Sequence, residues 1–260
     1  MDSLLPERQF AQKWHIKGLL SVILIVLIIL GSGNVTSVTA DFSWDQFFQI
    51  FIKMAHPDWS YASAVVEPLL QTIQMALVGT LLGTIIAIPF SLLAARNIMK
   101  NAAARGIIRF FLNLVRALPD LLLAALFVAI VGIGPMAGVG ALTVFSFGMV
   151  SKLFYEAIET IDEGPIEALT AAGANKVQTI VFAVLPQVFN QFLSYFLYTL
   201  EINVRASTVL GYLGAGGVGL FLSQTLSLFR YDRTAVVILA IFLVVVIVDG
   251  ISNRLREALA

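Results

Sequence analysis

Long apolar segments separated by short polar ones dominate the pattern of the chain. A transmembrane helix needs about 20 mostly apolar residues, and several segments approach or exceed that length. We expect such helices at Leu69–Ala95, Ile107–Ile133, Gly138–Ile158, Pro186–Arg205 and Thr234–Ile251. With the shorter apolar run Leu19–Leu30, they predict an all-α integral membrane protein with six transmembrane helices.

Basic residues and prolines predict how these helices are oriented and where they break. One short connection is strongly basic, with Arg96, Lys100, Arg105 and Arg109. Arg254 and Arg256 follow the last apolar segment. Because short cytoplasmic loops are enriched in Lys and Arg, both termini are predicted to be cytoplasmic. Pro68 is expected to open a helix, Pro89 to kink it and Pro119 to interrupt the next one.

Residues 1–67 are expected to form a separate N-terminal part, before a transmembrane domain at residues 68–260. Lys13 and Lys17 precede the run Leu19–Leu30, which favours an uncleaved signal anchor. Because Val38–Ala40 resembles a signal-peptidase site, a cleaved signal peptide is the alternative. Aromatic residues at helical spacing between Asp41 and Glu67 predict an amphipathic helix on the outer leaflet. A docking surface for an extracytoplasmic partner is the second interpretation.

The segment Glu156–Pro186 is a long polar stretch between two apolar ones, and we call it the hairpin. Gly164 and Pro165 are predicted to open a short helix, with Glu167 in the first turn where the helix dipole favours a carboxylate. Gly173 can end that helix in a left-handed cap. A second amphipathic turn, Lys176–Val184, leads directly into the next membrane helix. A solvated loop is the simpler interpretation, but a short helix rich in small residues also suits the groove of a partner protein.

Charged residues inside the predicted membrane helices are the second unusual feature, because an ionisable group at membrane depth is costly and often functional. Arg116 and Asp120 flank Pro119 and are expected to share one helix face. Glu201, Asn203 and Arg205 are expected near the outer end of the fifth helix. Each i,i+4 pair could simply neutralise itself. Alternatively these residues line a hydrophilic path for an anion, since the planar fork of Arg donates bidentately to phosphoryl oxygens.

Glycines at 211, 214, 216, 217 and 219 follow the fifth helix. The run Gly214–Gly219 fits G-x-G-x-x-G, but a dinucleotide site needs a preceding strand in a βαβ unit, and here a membrane helix precedes it. We expect irregular backbone beside the pathway instead. The predicted pathway set is completed by Ser207, Thr208, Gly214, Gly216 and Gly217.

Composition excludes several classes of function. The chain has 260 residues, 59% hydrophobic and 12% charged, against roughly 25% charged in a soluble domain. Its formal net charge is zero, which gives no reason to expect nucleic acid. It has no cysteine, and His15 and His56 are too far apart in sequence to suggest a zinc site. No G-x-x-x-x-G-K-[ST] motif occurs, so no cofactor is expected in this chain.

The hairpin resembles the EAA loop of ABC importer permeases. Glu167-Ala168-Leu169 is followed by Gly173 and by Leu185-Pro186 at the family's spacing, although Ala183 stands where the family usually has Ile. From about Leu69 to Ala260 the chain is similar to phosphonate importer permeases. The stretches that point to this branch are Arg116–Pro119 and Glu201–Arg205.

The resemblance implies a type I, methionine-importer-like permease fold in the bacterial inner membrane. It implies a transport subunit rather than an enzyme, with ATP and Mg²⁺ bound by two separate ATPase subunits on the cytoplasmic face. A second copy of the chain and an extracytoplasmic phosphonate-type binding protein are the other implied partners, beside membrane lipid. The residues implied to contact the ATPase are Glu163, Glu167, Ala168, Leu169, Gly173, Leu185 and Pro186.

The transported solute is then expected to be phosphonate or a related phosphorus oxyanion such as phosphite or phosphate. A permease for methionine or another small solute is the alternative. A secondary carrier is less favoured because such carriers often contain two related halves, and the sequence shows no repeat. A membrane hydrolase would need a nucleophile–base pair or metal ligands within the helices, and neither is evident.

Overall fold

The computed structural model describes residues 9–31 and 43–259, where helices and turns occur without any strand. The chain divides into two compact units, Met1–Ile52 and Lys53–Ala260. The functional boundary expected at residue 67 stays a prediction.

The first unit contains helix α1, Gln9–Gly31, and most of α2, Trp44–Met54. The predicted apolar run Leu19–Leu30 is helical, and its large side chains are exposed. Helix α2 exposes Trp44, Phe48 and Phe51, so a helix is present where the aromatic spacing predicts one, and its position on the outer leaflet and the alternative docking surface stay predictions. The signal-peptidase-like stretch Val38–Ala40 lies outside the described residues.

The second unit is a bundle of nine helical segments, preceded by a 3₁₀ turn at Trp59–Tyr61. In chain order these are α3 Ala62–Ala94, α4 Ala102–Arg116, α5 Asp120–Val131, α6 Pro135–Glu159, α7 Gly164–Ala171, α8 Lys176–Thr179, α9 Leu185–Leu210, α10 Val218–Ser227 and α11 Tyr231–Leu259. A π turn at Ile180–Val184 joins α8 to α9. A second π turn, Gly211–Ala215, follows α9.

Four helical segments of the described chain are long and apolar enough to cross a membrane: Trp59–Ala94, Pro135–Glu159, Lys176–Ala215 and Tyr231–Leu259. The bent pair α4–α5 gives a fifth if it is counted as one span. The apolar part of α1, Gly18–Gly31, is shorter. The all-α membrane fold is therefore confirmed, while the six-helix count and the cytoplasmic termini stay predictions.

The expectation that Pro68 opens a helix is wrong. Helix α3 begins at Ala62 and contains both Pro68 and Pro89. Val65, in the turn before Pro68, is 1% exposed and packs with Val218, Val236 and Val237. Tertiary packing of this first turn therefore extends the helix beyond the point that proline preference indicates.

The interruption expected at Pro119 is confirmed, and it is a sharp bend rather than a mild kink. Helices α4 and α5 meet at an angle of 84°. Leu118 precedes a proline, which disfavours helical backbone at that residue, and Pro119 itself is extended with φ −62° and ψ 141°. The proline therefore divides the segment into two helices of different direction.

Helices α3 and α6 pack closely through glycines. A Cβ added at Gly79 would lie 2.6 Å from Leu142 Cβ, and one at Gly83 would lie 2.6 Å from the Thr143 carbonyl oxygen. Small residues four apart allow two helix backbones to approach within the membrane. This contact fixes α3 against α6 and forms the centre of the bundle.

The two ends of the bundle differ in what they bring together. At one end a buried cluster joins Ala94, Leu112, Ile158 and Val184, from α3, α4, α6 and the π turn before α9. At the other end the turn at Gly132–Pro135 meets the glycine-rich segment Gly214–Gly217. The basic connection after α3 and the hairpin therefore lie at the same end, as the sequence predicts.

Candidate functional site

The first leg of the hairpin is a short capped helix, as predicted. Helix α7 begins at Gly164, and Gly173 adopts φ +85°. The Ala174 amide donates to the Leu169 carbonyl at 2.9 Å, and the Gly173 amide donates to Thr170 at 3.0 Å. These bonds satisfy carbonyls that the helix end leaves free, so the position of the turn is well defined.

The second leg begins with a capping box that the sequence analysis missed. The Asn175 side chain accepts from the Gln178 amide at 2.9 Å, and the Gln178 side chain accepts from the Asn175 amide at 2.8 Å. Asparagine with glutamine three residues later is a known helix-start signal. From this cap the chain stays helical through the π turn Ile180–Val184 into α9.

The base of the hairpin is joined by Gln187, which the sequence analysis also missed. Its Oε1 accepts from the Asp162 amide at 3.1 Å, and its Nε2 donates to the carbonyls of Asp162 at 3.3 Å and Ala183 at 2.8 Å. This side chain holds the entrance and exit of the hairpin together across 25 residues.

The predicted contact residues form an exposed surface. Glu163, Glu167, Ala168 and Gly173 are exposed, whereas Leu169 is half-buried. Leu185 is half-buried and Pro186 is exposed at the start of α9. A groove of about 620 Å³ separates the hairpin from the connection after α3. Its polar lining includes Asn97, Lys100, Glu163, Glu167 and Lys176.

A polar junction in the centre of the bundle joins three helices. Asn203 of α9 is fully buried, and its Nδ2 donates to Thr80 of α3 and to Ser146 of α6, each at 2.6 Å. Its Oδ1 has no protein partner within the described chain. A buried acceptor without a partner costs roughly 1–3 kcal/mol. Ser207, one turn further along, is also fully buried. Both therefore lie inside one bundle rather than on its surface.

The expectation that Glu201 and Arg205 lie near the outer end of their helix is wrong. They pair with each other, and each also reaches α11. Arg205 Nη2 lies 3.4 Å from Asp249, and Arg256 Nη2 lies 2.7 Å from Glu201 Oε2. The neighbouring Asn203 contacts the middle of α3 and α6, so these charges lie at mid-height. The alternative of mutual neutralisation holds for this pair, within a larger network.

Arg116 and Asp120 do not share a helix face, because the bend at Pro119 puts them on α4 and α5. Asp120 Oδ1 accepts from the Leu121 amide at 2.9 Å. The Arg116 side chain is exposed, and in the described residues it forms no hydrogen bond or ion pair. A Cβ at Gly148 would lie 3.0 Å from Arg116 Cγ. Since Gly148 is close to Ser146, Arg116 also lies at mid-height of α6.

The other two arginines of α4 donate hydrogen bonds to backbone carbonyls. Arg105 donates to Met99 at 2.9 Å, and Arg109 donates to Ala94. The opposite face of α4 exposes Ile107, Phe110 and Leu114, which are 71%, 70% and 56% exposed. This helix thus directs apolar side chains outward and guanidinium groups toward the bundle, as expected of a membrane-embedded helix. Arg116 is the guanidinium of this face that the described chain leaves unpaired.

The predicted glycine-rich segment has irregular backbone with satisfied hydrogen bonds. The Gly217 amide donates to Gln71 at 2.9 Å, and the Val218 amide donates to Thr72 at 2.8 Å. Gly214, Gly216 and Gly217 have φ of +95°, +82° and +69° and are buried. Non-helical backbone at membrane depth needs such protein partners. Thr208, half-buried, donates to the Arg205 carbonyl at 2.7 Å.

Two relatives found by comparison with known proteins are both permeases for phosphorus oxyanions. The phosphite transport system permease protein PtxC of Stutzerimonas stutzeri is 42% identical over 201 residues, which cover 77% of this chain and 73% of the relative. The phosphate-import permease protein PhnE of Mycolicibacterium smegmatis is 36% identical over 211 residues, 81% of this chain and 40% of the relative.

A solved structure shares the fold. An inward-facing conformation of the MetNI methionine ABC transporter superposes with a TM-score of 0.67 at 25% identity, covering 75% of this chain and 96% of that one. The methionine-importer-like fold is therefore confirmed. These relatives are transport subunits rather than enzymes, and the apolar helices of the chain fit the bacterial inner membrane.

Residues 87–259 match the family described as the inner membrane component of binding-protein-dependent transport systems. This range contains the hairpin, the glycine-rich segment, and Asn203 and Ser146 of the central polar junction, while Thr80 precedes it. The chain belongs to that family and is a permease component of an ABC importer.

Proposed function

We propose that the chain forms the membrane pathway for a phosphorus oxyanion, namely phosphonate, phosphite or phosphate, driven by a separate ATPase that contacts the hairpin. The observation that carries the proposal is Arg116, a guanidinium without a partner in the described chain at the mid-height of a membrane-spanning bundle. An unpaired cation at that depth is costly unless an anion or water accompanies it.

The relatives support an oxyanion over methionine. The chain is 42% identical to a phosphite permease and 36% identical to a phosphate permease, but 25% identical to the permease of a methionine transporter structure. Arginine binds tetrahedral oxyanions with two parallel N–H···O bonds. The fully buried Asn203 and Ser207 then support the helices around the pathway rather than contact the solute. Glu201 and Arg205, which neutralise each other, serve the same supporting role.

The partners follow from the exposed hairpin. Glu163, Glu167 and Ala168 present a short helix to the outside of the bundle, and the ATPase subunits that bind ATP and Mg²⁺ would contact it there. An extracytoplasmic binding protein would deliver the oxyanion at the glycine-rich end. A second copy of this chain would complete the pathway, since a single bundle buries its own central polar residues.

Substitution of Arg116 tests the proposal. The complex that copurifies with the tagged chain is reconstituted in proteoliposomes, and uptake of phosphite, phosphate, methylphosphonate and methionine is measured. Arg116→Ala should lower oxyanion uptake at least about tenfold, as expected for loss of a charge-assisted hydrogen bond. Copurification of the partner subunits should not change.

Arg254→Ala is the matched control, because it removes an exposed arginine from α11, outside the central polar residues. It should leave uptake unchanged. Normal oxyanion uptake by the Arg116→Ala complex would contradict the role of Arg116. If the unsubstituted complex takes up methionine but none of the three oxyanions, the proposed solute is wrong.

A further inference from the structure

Glu159, the last residue of α6, joins three chain segments at the base of the hairpin. Its Oε1 accepts from the Arg96 amide at 2.6 Å and pairs with the Arg109 guanidinium. Arg109 Nε and Nη2 also donate to the Ala94 carbonyl at 2.9 and 2.8 Å. We call Glu159 and Arg109, with these backbone contacts, the Glu159 clamp.

The position of the clamp makes it stronger than an ordinary surface ion pair. The side chains of Arg109 and Glu159 are 31% and 14% exposed. Ala94 ends α3, and a cation beside the last carbonyls of a helix is favourable. The Arg109 guanidinium also lies 4.7 Å from the centroid of the Tyr155 ring. One side chain of α4 therefore contacts the ends of both α3 and α6.

The clamp lies between the two parts of the proposed site. Glu159 lies among the first residues of the hairpin, at the point where α6 ends. Arg109 shares α4 with Arg116, two helical turns away, or about 10 Å along the axis. A displacement of the hairpin therefore reaches Arg116 through one ion pair and one rigid helix.

We propose that Glu159 and Arg109 are positioning residues that transmit movement of the hairpin to Arg116 through α4. This inference rests on the proposed function, because it assigns the route by which the ATPase changes the oxyanion site. When the hairpin shifts, Glu159 moves with the end of α6, and Arg109 carries α4 along. Without the clamp the hairpin still contacts the ATPase, but α4 no longer follows it.

The test measures ATP hydrolysis and phosphite uptake in the same proteoliposomes. Glu159→Ala should raise the number of ATP molecules hydrolysed per phosphite imported by about tenfold, within the range of coupling changes seen for residues that touch neither ligand. Arg109→Lys keeps the charge but lacks the planar fork, so it cannot bond Ala94 and Glu159 in the same way. Arg109→Lys should therefore also raise the number of ATP molecules hydrolysed per phosphite imported, by a smaller factor than Glu159→Ala.

Lys152→Ala is the matched control. Lys152 lies on the same helix as Glu159, pairs with Glu156 and sits 4.9 Å from the same Tyr155 ring. Both of its partners belong to α6, so it links no second helix to the hairpin. The ATP-to-phosphite ratio of Lys152→Ala should stay within twofold of the unsubstituted complex.

A second measurement follows α4 directly. Because the sequence has no cysteine, Asn113→Cys introduces the only thiol of this chain, at an exposed position between Arg109 and Arg116. Its rate of maleimide labelling should change when ATP and vanadate trap the complex. In the Glu159→Ala background the nucleotide should no longer change that rate.

The inference is overturned if Glu159→Ala leaves the ATP-to-phosphite ratio within twofold of normal while nucleotide still changes the labelling rate. It is also overturned if hydrolysis and uptake fall in parallel, because that result indicates a structural role only. A failure of the proposed function would give a different result from a failure of this inference. The unsubstituted complex would then import no phosphorus oxyanion, yet nucleotide-dependent labelling would still report the clamp.

Discussion

Two glycine-containing breaks in the helices, one at each end of the bundle, use glycine for different reasons. At the hairpin, Gly173 has φ +85°, and a Cβ added there would meet no atom within 4 Å. At the opposite end, a Cβ at Gly217 would lie 2.5 Å from Thr72 Oγ1, and one at Gly219 would lie 2.0 Å from the Thr208 carbonyl oxygen. Gly173 is needed for its backbone conformation alone, Gly219 is needed for space, and Gly217, with φ +69°, is needed for both.

The two ends of the bundle also differ in their exposure and in the contacts that hold their backbone. The hairpin end is exposed and held by local caps and by Gln187, which suits a surface that another protein contacts. The glycine-rich end is buried, and its backbone is held by side chains of α3. A change at the first end should alter coupling more than folding, while a change at the second should alter folding first.

The largest effect is expected for Gly219→Ala. Its backbone is ordinary helix, so the added methyl group acts only by collision with the Thr208 carbonyl and Gly211 Cα. Overpacking of this kind costs about 3 kcal/mol or more when backbone must move. We expect loss of folded protein in detergent, measured by size-exclusion yield and thermal unfolding. Gly250→Ala, where no atom lies within 4 Å, should gain up to about 1 kcal/mol. Equal yields for both variants would show that folding does not depend on the lack of a side chain at Gly219.

An intermediate effect is expected for substitutions at Gly173. Alanine in the left-handed region costs about 1–2 kcal/mol, whereas asparagine tolerates that conformation better. Gly173→Ala should therefore lower transport for each ATP hydrolysed, with Gly173→Asn closer to normal and both proteins folded. Glu167→Ala should uncouple hydrolysis from transport in the same assay. Unchanged coupling in these variants would count against the hairpin as the ATPase contact.

The smallest effect is expected for Asp58→Asn, at the exposed margin of the glycine-rich end. The Ser60 hydroxyl hydrogen-bonds Asp58 and lowers its pKa from the ordinary 3.8, with further help from Arg233 at 3.3 Å. Since the folded pKa is lowered, this carboxylate stabilises the fold above pH 3.8 and the contribution disappears as the pH falls through the lowered value.

Thermal unfolding at pH 7 and at pH 3 measures this contribution. Asp58→Asn should lower the unfolding temperature slightly at pH 7, and the difference from the unsubstituted protein should shrink at pH 3. A loss at pH 7 as large as that of Gly219→Ala would show that surface charge, rather than backbone packing, stabilises this end.

Local signals predicted the hairpin well because each of them acts within a few residues. Gly164 and Pro165 start α7, and Gly173 ends it in the predicted conformation. The apolar segments likewise predicted most of the long helices, since hydropathy reports burial in lipid or protein without reference to partners.

The features that sequence analysis missed depend on contacts distant in sequence. Asn203 meets residues 57 and 123 positions away, and Gln187 reaches across 25. Nothing in the local pattern of either residue indicates its partners. The bend at Pro119 had a local signal, but the apolar residues on both sides concealed that α4 and α5 take different directions.

The helical course from the second leg of the hairpin through the π turn into α9 has a geometric consequence. Lys176 to Leu210 is helical throughout, including the π turn Ile180–Val184, and at 1.5 Å per residue a helix of this many residues is about 50 Å long. A rotation of only about 5° around the hairpin end would displace the far end by about 4 Å over that length. The far end is where the buried glycines meet the turn before α6, so a small angular change at the exposed surface becomes an atomic-scale displacement on the other side of the bundle.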